Sequence, residues 1–83
     1  SHNDIFVIDC IEEFPNNKVE IFNRAGTKVY EGNGYDNTTI YFDGKANHGF
    51  LMTGNNLPAG TYFYVINKGD GSPRRAGYLE IVD

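Results

Sequence analysis

The stretch "LPAGTYFYVINKGDG", Leu57 to Gly71, decides the fold class. Pro58 stiffens the entry, and "GTYFYVIN" (Gly60 to Asn67) reads as β-strand. Successive strand residues face opposite ways, so Tyr62, Tyr64 and Ile66 share one side and Phe63 and Val65 the other. Both sides are apolar. That pattern predicts a central strand, covered on one face and half covered on the other. The run stops at "GDG", where Gly69, Asp70 and Gly71 supply turn chemistry, and a further run, "RAGYLEIV" (Arg75 to Val82), follows to complete a hairpin.

The same signature recurs along the chain. "DIFVIDCI" (Asp4 to Ile11), "KVEIFN" (Lys18 to Asn23), "TKVYEG" (Thr27 to Gly32), "TTIYFD" (Thr38 to Asp43) and, most weakly, "GFLMT" (Gly49 to Thr53) read as strands. A turn at Arg24, Ala25 and Gly26 makes a hairpin of the second and third, with Gly26 suited to a left-handed position. No segment holds a helical apolar period for three turns, and ten glycines punctuate the chain. The expectation is an all-β fold. Seven short, mostly antiparallel strands do not bury their apolar faces in one flat sheet, which predicts two packed sheets in an immunoglobulin-like β-sandwich, without the Cys, Trp, Cys hallmark of antibody domains. Alternation places Val19, Ile21, Leu79 and Ile81 on the core side.

Composition narrows the function. Eighty-three residues predict one domain spanning 1–83, since domains typically run to ~100–150 residues. A net charge of −4, with seven basic residues scattered, argues against nucleic acid and anionic membrane as partners. No apolar run approaches the ~18–20 residues needed for membrane insertion as a helix, and the start does not resemble a signal peptide. Ser1 and His2 fit a cloning remnant. The lone Cys10 has no partner for an intrachain disulfide, and its apolar neighbours in "FVIDCIEEF" predict a small buried thiol rather than a nucleophile.

Reactive arrangements are weak. In "NKGDGS", Asn67, Asp70 and Ser72 stand at spacings like those of a calcium loop, yet one carboxylate followed by Pro73 and two arginines reads better as a solvated turn. Asp43, Asn47 and His48 form no recognisable set, and His48 with His2 falls short of a tetrahedral zinc site. Glu12 and Glu13, adjacent on a strand, point to opposite faces and cannot flank one bond; they read as its solvated end. Exposed aromatics on a β-sandwich can stack sugars, which keeps a carbohydrate- or protein-binding module as the rival reading, though twelve aromatics without a Trp fit core packing better. Neither catalysis nor a cofactor nor a metal is expected.

Five segments together resemble a known family: "NDIFVI" (Asn3 to Ile8), "FPNNKVEIFNRAGTKVYE" (Phe14 to Glu31), "YFDGKAN" (Tyr41 to Asn47), "LPAGTYFYVI" (Leu57 to Ile66) and "GYLEIV" (Gly77 to Val82). Their order and spacing are similar to the gliding motility-associated C-terminal domain, the type B sorting domain of the type IX secretion system. The resemblance covers nearly the whole chain. It implies a non-catalytic module, fused to an upstream cargo, that outer-membrane secretion machinery and accessory proteins read after a Sec signal has taken the protein to the periplasm. Such proteins end at the cell surface or in the medium.

The motif residues that the resemblance brings forward for recognition are Asn23, Gly26, Tyr30, Asp43, Gly44, Leu57, Pro58, Gly60, Thr61, Tyr62 and Tyr64. By type, Asn23, Gly26 and Gly60 shape turns, and Phe22, Tyr30, Tyr62 and Tyr64 supply packing or contact area. The chain departs from the family pattern in three places. The Gly and Asp-rich approach to "ND" is missing, "FDG" stands where many members have "WDG", and Asp83 is acidic where many end on a basic residue. An exposed edge strand, finally, is a route for capture of a partner's strand.

Overall fold

The computed structural model describes residues 5–47 and 57–82. Four strands form one antiparallel sheet: β1 (Lys18–Phe22), β2 (Lys28–Asn33), β3 (Gly60–Asn67) and β4 (Arg75–Ile81), in the order β2-β1-β3-β4. The long runs read from alternation are the ones that pair, β3 within the residues expected and the other three within one residue of expectation at each end. β3 lies between β1 and β4, as its two apolar faces require. β1 is central too.

The β1–β2 hairpin shows how local chemistry sets register. Asn23 Oδ1 accepts the N–H groups of Ala25 and Thr27, and Gly26 takes φ +86°, the left-handed conformation that closes a short turn. One extra residue enters the ladder here: Ile21 opposes Tyr30 while Phe22 opposes Lys28. That bulge turns both Val29 and Tyr30 inward.

The inner face carries Val19 and Ile21 of β1, both fully buried, with Tyr30, Tyr62 and Ile66 beside them. Leu79 and Ile81 pack against this core from the edge and are only partly buried. Irregular chain covers the face: Ile11, Tyr35, Phe42, Ala46 and Leu57 are buried against it, and Tyr30 and Phe42 meet with ring centroids 5.0 Å apart. On the opposite face Phe22, Phe63 and Tyr78 stand side by side across three strands, and Tyr78 is exposed.

Two segments expected as strands take other forms. In 5–11 the extended run ends at Cys10, whose φ is +63°, and Ile11–Glu13 winds into a 3-10 turn. Glu12 and Glu13 are exposed on that turn, not on a strand. Asn37 replaces a neighbouring strand: its amide accepts from Ile8 N–H and donates to Ile8 C=O, both at 2.9 Å. In 38–43 the carboxylate of Asp36 takes the N–H groups of Thr38, Thr39 and Ile40, which are thereby lost to any ladder. "GFLMT" lies outside the described residues. The observed architecture is therefore all-β with a single four-stranded sheet, and the seven-stranded sandwich is not seen among the described residues.

Two buried polar side chains hold the covering chain in place. Asn17 is 2% exposed; its Nδ2 donates to Phe14 C=O (2.7 Å) and Tyr35 C=O (3.1 Å), and its Oδ1 accepts from Tyr35 N–H (2.8 Å). The Tyr35 hydroxyl donates to Phe6 C=O and accepts from Phe42 N–H. One tyrosine thus ties two loop segments to each other. Burial pushes the Tyr30 and Tyr35 phenols up to about 12.

Candidate functional site

Antiparallel pairing of β1 with β3 sets Phe22 opposite Phe63, so the chain leaving β1 runs beside the chain about to start β3. The turn after β1 and the "LPAG" segment before β3 therefore meet at one corner of the sheet. There Asn23, Arg24 and Ala25 face Pro58, Ala59 and Thr61 across a shallow concavity of about 260 Å³ floored by Tyr62. Arg24, Ala25, Pro58 and Ala59 are exposed.

Each wall is fixed from within. Asn23 satisfies the turn's N–H groups, as described above, and its own N–H donates to Thr27 C=O at 2.9 Å. On the other wall the Tyr62 hydroxyl donates to Pro58 C=O at 2.8 Å, pinning the segment over a buried ring. Gly60, at φ +148°, makes the bend between them in a conformation that side chains rarely adopt. Thr61 reaches across the outer face to bond the Glu80 carboxylate. These internal hydrogen bonds hold the corner in one shape, which lowers the ordering cost of binding.

The remaining motif residues fall elsewhere. Tyr30 and Leu57 are buried, so their contribution is packing, and Tyr64 is half-buried against Phe6 with ring centroids 5.0 Å apart. Asp43 and Gly44 stand apart from the corner, at a cleft beside β4, where Gly44 C=O accepts from Leu57 N–H. Arg24, Ala25 and Ala59 join the corner although motif reading did not single them out. They sit inside the two quoted segments, so adjacency of those segments was the signal available.

The weaker chemical candidates resolve into local structure. Asn67 Oδ1 accepts from Gly69 N–H, and Asp70 Oδ1 from Ser72 N–H and hydroxyl, giving two successive side-chain turns. The Ser72 hydroxyl, then its N–H, holds the Asp70 carboxyl below the usual range. Cys10 is exposed rather than buried, because the left-handed bend turns it out of the apolar run. The Glu13 carboxylate, then partial desolvation, pushes its thiol up, away from the reactive thiolate. The Asn47 side chain is spent on β2: it accepts from Glu31 N–H and donates to Glu31 C=O. His2 and His48 lie outside the described residues. Among the described residues no three His, Cys, Asp or Glu side chains gather as metal ligands.

Charge on the outer face centres on Lys28, whose ammonium lies 2.7 Å from Glu31 and 3.0 Å from Glu20. The Lys28 contact, then Asn33, brings the Glu31 carboxyl down to about 2, and Lys28 is raised in turn. Among the described residues no helix is long and apolar enough to cross a membrane.

A family model described as CHU_C type IX secretion signal domain matches residues 1–81. No curated protein and no solved structure matches the chain.

Proposed function

The chain belongs to the type IX secretion signal domain family, and from that membership we propose how its surface is read. Its role is that of a C-terminal sorting domain, which marks a cargo protein for export across the outer membrane to the cell surface or the medium. In our reading, residues 1–83 act as one domain without a reaction of its own. Cargo arrives by way of the periplasm, after a Sec signal, and is handed to the outer-membrane machinery and its accessory proteins. The irregular segments through Phe6 and Phe42 serve as the second layer of an immunoglobulin-like sandwich. A backbone bond from Phe6 N–H to Phe42 C=O, at 2.8 Å, supports that layer.

The machinery reads the corner formed by Asn23–Gly26 and Pro58–Thr61. One observation carries this assignment: two motifs more than thirty residues apart in sequence converge on one exposed, internally hydrogen-bonded concavity. A sorting label has to look alike on unrelated cargo, and a preorganised corner does so because its shape is set within the domain, by its own turn and the β1–β3 register. Arg24 supplies the one cation on its rim among the lining residues.

The corner is tested by replacing Arg24 and Ala59 together with Glu in a reporter fusion. Both sites are exposed, so stability should change by no more than ~0.5 kcal/mol, while surface delivery falls about tenfold, or ~1.4 kcal/mol of recognition. Undiminished delivery would rule the corner out as the recognised surface.

A further inference from the structure

The two edges of the sheet differ. Along β2 the outer edge is occupied: Asn47 N–H donates to Val29 C=O, and the Asn47 side-chain amide takes both the N–H and the C=O of Glu31. That is a strand-like pairing supplied by one residue, and it blocks further pairing there. Along β4, hydrogen bonds run to β3 on one side, and among the described residues no backbone group bonds the other side. Backbone donors and acceptors in a row are a template for an added strand.

Beside this edge lies a cleft of about 220 Å³ between β4 and the covering chain, with Phe6, Phe42, Leu79 and Ile81 as its apolar lining. Leu79, Glu80, Ile81 and Val82 all border it. Alternate strand residues face opposite ways, so four consecutive ones can share a cleft only if it follows the strand's edge. Leu79 and Ile81 pack on the core yet stay partly exposed, which marks an opening in the core among the described residues. The volume is below the ~300–1,000 Å³ typical of small-molecule sites, and it suits side chains entering one at a time. Asp43 and Glu80 place acid at its rim.

We propose that the β4 edge and its cleft take an extended strand from the secretion machinery, with apolar residues at alternate positions and basic residues beside them. The strand's backbone pairs with β4, its alternate side chains fill the cleft, and its basic residues face Asp43 and Glu80. The mode of binding stands on the geometry; the identity of the partner rests on the sorting function.

Two fusions test this. A strand alternating Val and Thr, with flanking Lys, is joined through a turn so that it folds back on β4; a second fusion has Val and Thr exchanged, which turns the apolar side out of the cleft. The first should slow amide exchange along β4 about tenfold relative to the second, and should reduce reporter delivery about tenfold by occupying the edge. No difference between the fusions in either readout overturns the proposal. A dimer of the unmodified chain with protected β4 amides also overturns it, since the occupant is then a second copy. If the unmodified domain fails to deliver the reporter while the first fusion still slows exchange, the edge assignment holds and the sorting function is what fails.

Discussion

Tyr64 lies across Gly77, its partner on β4, so closely that a Cβ at position 77 would meet the phenol oxygen at 2.5 Å and the ring carbon bearing it at 2.6 Å. The ring covers the backbone where a side chain is missing. Gly77 has no left-handed φ, so any cost of filling it comes from this contact and not from the backbone.

Gly77→Ala should therefore destabilise the fold by ~1–3 kcal/mol, the usual range for forcing an extra methyl into packed space. In a Tyr64→Val background the same change should cost far less. A double-mutant cycle by urea unfolding measures the difference, and additivity would show that the ring and the glycine are not coupled.

Asn17→Ala strands the N–H and C=O of Tyr35 in a buried site, because both bond the Asn17 side chain, while Phe14 C=O keeps the Asn17 backbone N–H. A loss of about 3 kcal/mol is expected. Tyr35→Phe, which removes the hydroxyl between Phe6 and Phe42, should cost about 2 kcal/mol. Both are checked by urea midpoint at constant m-value.

Stability should fall at both ends of the pH scale, for opposite reasons. The Glu31 carboxyl is lowered from 4.5 to about 2 in the fold, so its stabilisation is complete above about 4.5 and is lost as pH drops through about 2. Tyr30 and Tyr35 are raised from 10.0 to about 12, so the neutral phenol is favoured in the fold, and their contribution is complete below 10 and lost as pH climbs through 12. Glu31→Gln should flatten the acid limb only, and added salt should weaken that limb, since the Lys28–Glu31 pair stays partly open to solvent. Unfolding midpoints across pH report both limbs.

The alternating runs were legible because a strand inside a sheet must be apolar where it is covered, and Val19, Ile21 and the Thr61–Ile66 run say so directly. The segments 5–11 and 38–43 have the same β-rich composition, yet side chains decide them: Asn37 takes the backbone groups of Ile8, and Asp36 takes three successive N–H groups. No local pattern separates an Asn that will clamp a distant segment from one that will sit in a solvated turn. The clamping roles of Asn17, Asn37 and Asn47 were invisible for that reason. The candidate corner was half legible: its two motifs stood out in the chain, but their meeting depends on the β1–β3 register, a long-range pairing that neither motif shows by itself.

Asn47→Ala should uncover the β2 edge. The Glu31 amide loses the side chain it bonds and should exchange about tenfold faster, and the chain should self-associate more readily at high concentration. Exchange by NMR and sedimentation velocity follow the two effects separately.

The most direct measurement fuses residues Asn3 to Asp83 behind a fluorescent reporter carrying a Sec signal peptide, in a host with type IX secretion and in its translocon-deficient counterpart. The reporter should reach the surface or medium in the first strain and stay in the periplasm in the second. Retention in the periplasm of both strains, with the domain folded, would contradict its action as a sufficient sorting signal.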